Sequence, residues 1–416
     1  MRILFYKQSL AWPRSSGHDV HCFYMMKALA KRGCEIHLLT RDEVNPAALR
    51  DGGLRRASTL SKYVESVAGS LDEEIQFTYS QRKFVSYWGI DRRDIAAVAS
   101  YADGHRMDSV VTVGLDVLPY LAGIPKQGRI RRVWYAADEW FLHHVSQFRL
   151  TKPATWPEFK QGLIKGAYER AFAECVDRVW VVSGMDARAT RWVMGAKSVD
   201  VIANGVDSQH FSRHELVRNV AVSQRDNDPS ITFWGRLDFG PNLDAIDWFG
   251  THVWSQLQKR HPSLRWVIYG FKPQERAEEL RQRFGFELIA NLPDLREHIV
   301  KHDLVVLPMV SGGGIKNKFL EAASLEMPII ASRRAVNGVE LHAKRPCEVV
   351  KSPAQWLDVI RDLLRDADRR ERLGSGARSF VEQHYTWEAA GGIALGSLES
   401  KREHRVLQSG QDDVHG

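Results

Sequence analysis

A glycine-rich loop followed by a lysine and a glutamate is the segment best suited to hold a charged ligand. Residues 312–314 are glycines after a short apolar run, and Lys318 and Glu321 stand three residues apart in the helical pattern beyond them. Glycines let the backbone approach a bulky group, and a helix start presents free N–H donors. A cation beside phosphate oxygens and a carboxylate that accepts ribose hydroxyl protons suit a nucleoside diphosphate.

A plain structural interpretation of the same segment stays open. The glycines would then form a flexible turn, and Lys318 and Glu321 an exposed ion pair on one helix face. The loop lacks the Gly-Lys-[Ser/Thr] of a Walker A motif and the Gly-x-Gly-x-x-Gly of dinucleotide binders, which disfavours kinase-like and NAD-dependent enzymes.

Arg236 is the second candidate for a phosphate contact. It follows an apolar run and Gly235, so we expect it at the carboxyl end of a strand, where its planar fork suits two phosphate oxygens. The alternative is a surface arginine lying over the sheet edge. Asn242 begins the next helical pattern, and its residue type predicts a helix N-cap.

The first half of the chain offers weaker candidates. Gly17, His18 and His21 follow the first apolar run, and a histidine there can hydrogen-bond a sugar or phosphate or serve structure alone. Asp138 follows another apolar run together with Glu139. Acidic pairs at such places are often solvated charges at a helix start. Asp138 is therefore either a catalytic residue or a solvated charge of this kind.

The elements that must position these residues alternate in type along the chain. Short apolar runs alternate with longer amphipathic segments, which predicts βαβ units with buried parallel sheets and an α/β fold class. A helix is predicted over 20–32, ended by Gly33. No element is predicted between Arg41 and His105, where periodicity is weak. The predicted strands are residues 2–6, 35–40, 108–113, 131–136, 177–182, 199–203, 230–234, 264–269, 286–289, 303–308, 328–331 and 348–350.

Two doubly wound domains in sequence account for this series. Parallel sheets bind ligands outside the carboxyl ends of their strands, so the chemistry is expected in a cleft between the domains. The predicted boundaries are a first domain over 1–205, a second domain over 206–385, and a final segment over 386–416 that ends in a polar tail.

Composition excludes several classes of protein. The 416 residues are 44% hydrophobic and 26% charged, which excludes fibrous and largely disordered chains. The four cysteines lack metal-ligand spacing and are expected to be buried in a reducing compartment. No transmembrane segment or signal peptide is evident, so a cytoplasmic location is predicted. The net charge of +7 is compatible with contact to an anionic membrane leaflet, and no nucleic-acid-binding module is evident.

Taken together, the motifs resemble the retaining family 4 (group 1) glycosyltransferases, in particular bacterial sugar transferases of exopolysaccharide synthesis. The segments that carry this resemblance are Asn204-Gly205-Val206-Asp207, Gly235-Arg236, Pro241 to Asp244, and Gly314-Ile315-Lys316-Asn317-Lys318-Phe319-Leu320-Glu321. The resemblance implies a GT-B fold of two Rossmann-like domains, with the acceptor side in 1–205, the nucleotide-sugar site in 206–385 and a helix in 386–416 that crosses back to the N-terminal domain. It also implies transfer of a sugar from a nucleotide-sugar to a glycan or lipid-linked acceptor. It further implies a retaining hexosyltransferase without metal or cofactor, in peripheral contact with the inner membrane.

The resemblance also assigns roles to residues. Arg236 and Lys318 would neutralise the donor diphosphate, and Glu321 would bind the ribose. Asp138 remains a catalytic candidate only from its place after a strand, where many family members have a histidine. The predicted donor contacts are Gly235, Arg236, Gly313, Gly314, Ile315, Lys318 and Glu321, and the predicted acceptor-side residues are Gly17, His18 and His21. Trp387 resembles the start of the segment that returns to the N-terminal domain.

One departure from the family pattern keeps rival functions open. The family commonly shows two glutamates separated by seven residues, whereas Gly313 stands eight residues before Glu321. A non-catalytic nucleotide-sugar-binding assembly subunit is therefore one alternative. A GT-B nucleotide-sugar epimerase or a phosphorylase is another.

Overall fold

The protein, described here from a computed structural model, divides into two compact units. Unit 1 comprises Met1–Ala203 and Trp387–Gly416, and unit 2 comprises Asn204–Thr386. The structure describes residues 1–11, 17–66, 75–137, 140–145, 148, 150, 153–219, 228–311, 317–339 and 346–409.

Unit 1 is built on a seven-stranded sheet in the order β3-β2-β1-β4-β5-β6-β7, with every strand pair parallel. Its strands are β1 (Arg2–Lys7), β2 (Glu35–Thr40), β3 (Arg56–Thr59), β4 (Ser109–Val113), β5 (Arg131–Ala137), β6 (Arg178–Val181) and β7 (Val199–Val201). Its first eight helices are α1 (Gly17–Lys31), α2 (Pro46–Gly52), α3 (Leu60–Ser66), α4 (Tyr79–Tyr87), α5 (Arg92–Gly104), α6 (Trp140–Val145), α7 (Trp156–Ala171) and α8 (Gly184–Val193).

Both faces of this sheet are buried, and its central strands carry runs of consecutive apolar residues. In β1, Ile3 and Phe5 belong to the core on one face, whereas Leu4 and Tyr6 belong to the core on the other. Successive side chains of a strand point to opposite faces, so an uninterrupted apolar run requires helices on both sides.

Unit 2 contains a six-stranded parallel sheet in the order β10-β9-β8-β11-β12-β13. Its strands are β8 (Ser230–Arg236), β9 (Arg265–Phe271), β10 (Glu287–Ala290), β11 (Leu304–Leu307), β12 (Ile329–Ser332) and β13 (Glu348–Val350). Its helices are α9 (Arg213–Asn219), α10 (Gly240–Phe249), α11 (Ser255–Arg260), α12 (Glu275–Phe284), α13 (Arg296–Ile299), α14 (Asn317–Ser324), α15 (Pro353–Arg365) and α16 (Ala367–His384).

A final helix, α17 (Trp387–Ser409), belongs to unit 1 and packs on α1. A Cβ at Gly391 would lie 2.7 Å from that of Ala28, so the two helices approach closely only because residue 391 is glycine. Trp387 stacks on Tyr24 with ring centroids 5.3 Å apart and planes at 7°. The predicted return segment is thus a helix that packs on α1 of unit 1.

The structure confirms the predicted α/β class with two parallel-sheet domains and corrects several details. Strand β3 lies within the region where no element was predicted, and α1 covers Gly17–Lys31 instead of residues 20–32. All four cysteines are buried and free, as expected. No described helix has the length and apolar character needed to span a membrane. Within the described residues, no group of three or more His, Cys, Asp or Glu could hold a metal ion.

Candidate active site

Lys318 lies against the carboxyl end of β8, at the position where a glycine leaves room for it. Gly235 has a φ of +154°, and a Cβ there would lie 2.8 Å from Lys318 Cε and 2.9 Å from its Nζ. Lys318 Nζ donates a hydrogen bond of 3.0 Å to Asn242 Oδ1, and Asn242 Nδ2 donates one of 2.7 Å to the carbonyl oxygen of Arg236. Asn242 therefore joins the ammonium group to the end of the strand.

This arrangement shows that the prediction of an N-cap at Asn242 was wrong. Helix α10 begins at Gly240 with Phe239 at its N-cap, and Asn242 is the third residue of the helix. Its side chain is buried and points to Lys318 and the strand end. Sequence reasoning missed this role because a residue near a helix start is most simply explained by capping.

The guanidinium of Arg236 is bound by a neighbouring carboxylate. Arg236 Nε donates to Asp238 Oδ1 at 2.9 Å, and a terminal nitrogen donates to Oδ2 at 2.6 Å. These hydrogen bonds lower the pKa of Asp238 and raise that of Arg236. A carboxylate thus occupies the planar fork that was predicted to bind phosphate. The signal for it was present in the sequence, since Asp238 follows two residues after the arginine.

The carboxylate of Glu321 on α14 accepts a hydrogen bond from an indole of β8. Trp234 is buried, and its Nε1 donates a hydrogen bond of 3.0 Å to Glu321 Oε2. Lys318 and Glu321 stand one helical turn apart on α14, and both contact residues of β8. The two side chains are half-buried, so the alternative of an exposed ion pair does not describe them.

The residues on either side of the glycine-rich loop are held by side-chain hydrogen bonds. Ser311, which precedes the loop, donates to Asp244 Oδ2 at 3.0 Å. Asn317, which follows it, accepts from the buried Asn204 Nδ2 at 2.8 Å. Asn204 of the Asn-Gly-Val-Asp motif therefore contacts the start of α14. Residues 312–316, with the predicted sites Gly313, Gly314 and Ile315, lie outside the described residues.

An ion pair fixes the segment that follows Asn204. Arg296 hydrogen-bonds Asp294, with Nε 2.9 Å from Oδ1, and a second nitrogen donates to the carbonyl oxygen of His210. The hydrogen bonds from Arg296 lower the pKa of Asp294 to about 2. This pair attaches the chain after the Asn-Gly-Val-Asp motif to the rest of unit 2.

In unit 1, the predicted acceptor-side residues lie at the start of α1. Gly17 is the first residue of the helix, and His18 contacts Trp140 edge to face at 5.6 Å. His21 is buried between Tyr135, at 6.3 Å, and Trp387, at 5.6 Å. Their roles stay predictions. Asp138 lies outside the described residues.

Two charged groups near α1 were missed from the sequence. Lys7 ends β1, and its Nζ lies 2.8 Å from Asp19 Oδ1 of α1 in a largely buried ion pair. The sequence signal for this pair was a lysine directly after an apolar strand.

In α7, Lys165 Nζ lies 2.6 Å from His144 Nε2 and 4.7 Å from the Trp140 ring. Burial lowers the pKa of Lys165.

Comparison with known families decides the identity of the two units. Residues 15–210 match the family described as Glycosyltransferase Family 4, and residues 228–366 match the family described as Glycosyl transferases group 1. The chain belongs to the family 4, group 1 glycosyltransferases. The two matches follow one another along the chain and together cover more than three quarters of this glycosyltransferase.

Solved structures of glycosyltransferases and sugar synthases share the fold of this glycosyltransferase. HepE of Anabaena, solved with UDP and glucose, is 15% identical with a TM-score of 0.66 over 96% of this chain and 100% of its own. Sucrose-phosphate synthase of Thermosynechococcus elongatus is 16% identical, with a TM-score of 0.66 over 98% and 99% of the chains. WaaG, of lipopolysaccharide biosynthesis, is 14% identical, with a TM-score of 0.58 over 96% and 100%. At these identities the likeness shows the GT-B fold alone, and no curated protein sequence matches this glycosyltransferase.

Proposed function

We propose that unit 2 holds the diphosphate and ribose of a nucleotide-sugar, and that the enzyme transfers its sugar to a glycan or lipid-linked acceptor. The observation that carries this proposal is the pairing of Lys318 and Glu321 on one face of α14, each fixed at the end of β8. The ammonium group suits a phosphate oxygen, and the carboxylate suits two ribose hydroxyls.

The chemistry that these residues supply is stabilisation of the leaving group. When the bond between the anomeric carbon and the diphosphate breaks, the electron pair leaves with the nucleoside diphosphate, and negative charge grows on its oxygens. We propose that the ammonium of Lys318, and the guanidinium of Arg236 once the diphosphate has replaced Asp238 on it, face that charge before the bond breaks. A preorganised cation stabilises the transition state more than the ground state and so accelerates transfer.

The carboxylate of Asp238 stands where a phosphate would bind the fork of Arg236. A diphosphate offers the same geometry of two oxygens with more negative charge, so we infer that it replaces Asp238 on donor binding. Asp238 then keeps the guanidinium oriented while the site holds no donor.

The donor that we propose first is a UDP-hexose. HepE, which shares the fold, has been solved with UDP-glucose. Retention of the anomeric configuration and independence from divalent metal are part of the proposal and rest on the family resemblance. Asp138 stays a proposed catalytic residue, and Gly17, His18 and His21 stay the proposed acceptor side. The anomeric configuration of the product, read by NMR, tests retention, and turnover in the presence of a chelator tests metal independence.

The deciding experiment measures UDP release from UDP-glucose with a glycan acceptor. Lys318→Ala and Arg236→Ala should each lower kcat by about 100- to 1,000-fold, corresponding to about 2.7 to 4 kcal/mol. Exposed Lys259 of α11 and Arg281, which pairs with Glu278 on α12, provide matched alanine controls and should keep normal turnover. Near-normal kcat in Lys318→Ala would contradict the proposed role of that cation.

The rival functions predict different products. A nucleotide-sugar epimerase would convert the donor without any acceptor, whereas an assembly subunit would bind UDP-glucose and release no UDP with any acceptor. Thermal shift measurements with UDP, GDP, ADP and dTDP identify the base, because a ligand that binds only the folded state raises the Tm.

The acceptor side of the proposal concerns bacterial surface polysaccharides. WaaG, which shares the fold, is involved in lipopolysaccharide biosynthesis. We propose an acceptor of the same general class, an exopolysaccharide or other surface glycan carried on a lipid, and peripheral contact with the cytoplasmic face of the inner membrane.

A further inference from the structure

Helix α7 carries large apolar side chains on its solvent face. Trp156 is 55% exposed, Leu163 is 51% exposed, and Phe159 between them is also exposed. Spacings of three and four residues place all three on one stripe of the helix. A stripe of this kind is normally buried against a core, yet the buried residues of α7 are Gly162, Gly166, Tyr168 and Glu169.

The apolar surface continues beyond α7. Trp192 at the end of α8 is 75% exposed, and its ring lies 6.1 Å from that of Phe141 on α6. A Cβ at Gly166 would lie 3.3 Å from the Phe141 ring, so this phenylalanine bridges α7 and Trp192. We call the exposed side chains of Trp156, Phe159, Leu163 and Trp192 the apolar patch.

The fully exposed charged side chains of α7 and α8 are cationic. Lys160 and Arg170 of α7 and Arg188 and Arg191 of α8 are exposed.

The carboxylates of these helices are buried or paired. In the described residues of α6, α7 and α8, Glu158 is half-buried and lies 2.7 Å from His144, and Glu169 and Asp186 are buried. In the described part of these helices, four cations are exposed, whereas the one partly exposed carboxylate, that of Glu158, pairs with His144.

We infer that the apolar patch and its bordering cations dock this enzyme on an anionic lipid surface. Tryptophan, phenylalanine and leucine beside lysine and arginine are the composition of helices that lie in a membrane interface. The apolar side chains enter the boundary between headgroups and acyl chains, and the cations contact anionic headgroups. An exposed patch of this composition with an excess of cations fits an anionic lipid surface better than a protein partner, whose surface would carry both signs. The biological use of this docking rests on the proposed lipid-linked acceptor. Binding to vesicles can nevertheless be measured without any sugar transfer.

The test is flotation of the full-length protein with vesicles of phosphatidylcholine, with and without phosphatidylglycerol. The protein should float with the anionic vesicles and lose most of that binding at high salt. Trp156→Ala with Trp192→Ala, and separately Arg188→Glu with Arg191→Glu, should each weaken binding about tenfold or more. Tyr87→Ala and Arg82→Glu change exposed residues of α4 in the same unit and should bind as the wild type does.

Three outcomes overturn the inference: no flotation of the folded wild type, flotation unchanged in the patch variants, or equal binding to vesicles without phosphatidylglycerol. A change of oligomeric state in Trp192→Ala without vesicle binding would assign the patch to contact between copies of the chain. Nucleotide binding, measured on the same samples by thermal shift, separates failure of this inference from failure of the proposed function. The patch variants should keep it in full.

Discussion

The indole nitrogen of Trp234 lies 3.0 Å from Oε2 of Glu321 and donates a hydrogen bond to it. Trp234 is the fifth residue of β8 and Glu321 the fifth of α14, so the bond joins a central strand to the helix that follows the glycine-rich loop. It orients the carboxylate that we propose for ribose binding. The buried side of Glu321 is thus fixed by the protein before a donor arrives.

Trp234→Phe should weaken UDP binding about tenfold, because it removes a hydrogen bond to a charged group while keeping an aromatic ring in place. Calorimetric titration with UDP measures the effect. Trp266→Phe is the matched control, since Trp266 is buried in the same unit and its Nε1 has no hydrogen-bond partner among the described residues. Equal Kd values for wild type and Trp234→Phe would contradict the proposed role of the indole in nucleotide binding.

Gly235→Ala should lower both stability and nucleotide binding. The new Cβ would lie 2.8 Å from Lys318 Cε and from Asn242 Nδ2, at a φ of +154° that side chains disfavour. We expect a loss of about 1 to 3 kcal/mol in the free energy of unfolding, measured with denaturant. Gly240→Ala, five residues further on, meets no atom within 4 Å and should leave both properties unchanged. An unchanged Kd for UDP in Gly235→Ala would show that Lys318 tolerates displacement.

Asp238→Asn should strengthen the binding of UDP by up to about fivefold, because the neutral amide competes less well for Arg236 than the carboxylate does. Calorimetry with UDP and with uridine separates the effect of the diphosphate from that of the base. The gain should appear with UDP and not with uridine. Weaker binding of UDP would mean that Asp238 orients the guanidinium more than it competes with the ligand.

Acid should lower the thermal stability of the protein through protonation of Asp294 in unit 2. Its pKa in the folded protein is about 2, below the value of about 3.9 usual for an unfolded chain. The pair with Arg296 therefore contributes stability above pH ~4, and the contribution is lost as the pH falls towards 2. Tm measured across this window should fall more steeply in wild type than in Asp294→Asn. Parallel curves would show that the pair adds no acid sensitivity.

The strands were predictable where an apolar run marks a buried position. All six strands of unit 2 lie where short apolar runs predicted them. The four central strands must be apolar on both faces, and the edge strands β10 and β13 still keep two adjacent apolar residues each. Strand β3 was missed because it lies at the sheet edge and reads Arg-Ala-Ser-Thr. A strand with one neighbour needs less apolar sequence, so periodicity does not identify it.

The candidate site likewise has features that the sequence predicted and features that it did not. Residue type and spacing singled out Arg236, Lys318 and Glu321, since a cation, a carboxylate and glycines at strand ends suggest phosphate and ribose binding. Neither type nor spacing predicted that Asn242 would hold Lys318 or that Trp234 would fix Glu321. The contact of Asp238 with Arg236 was missed although only two positions separate them. Two of these contacts join residues more than seventy positions apart.

The sequence by itself determined the α/β class, the two parallel sheets and the motif residues, because local hydrophobic pattern and short motifs are properties of neighbours along the chain. Only the tertiary structure decided which side chains meet at the end of β8, because long-range packing brings a strand, a loop and a helix together there. It also decided which apolar residues stay outside the core. In α7 the glycines face α6 and α8, and Trp156 and Leu163 face solvent.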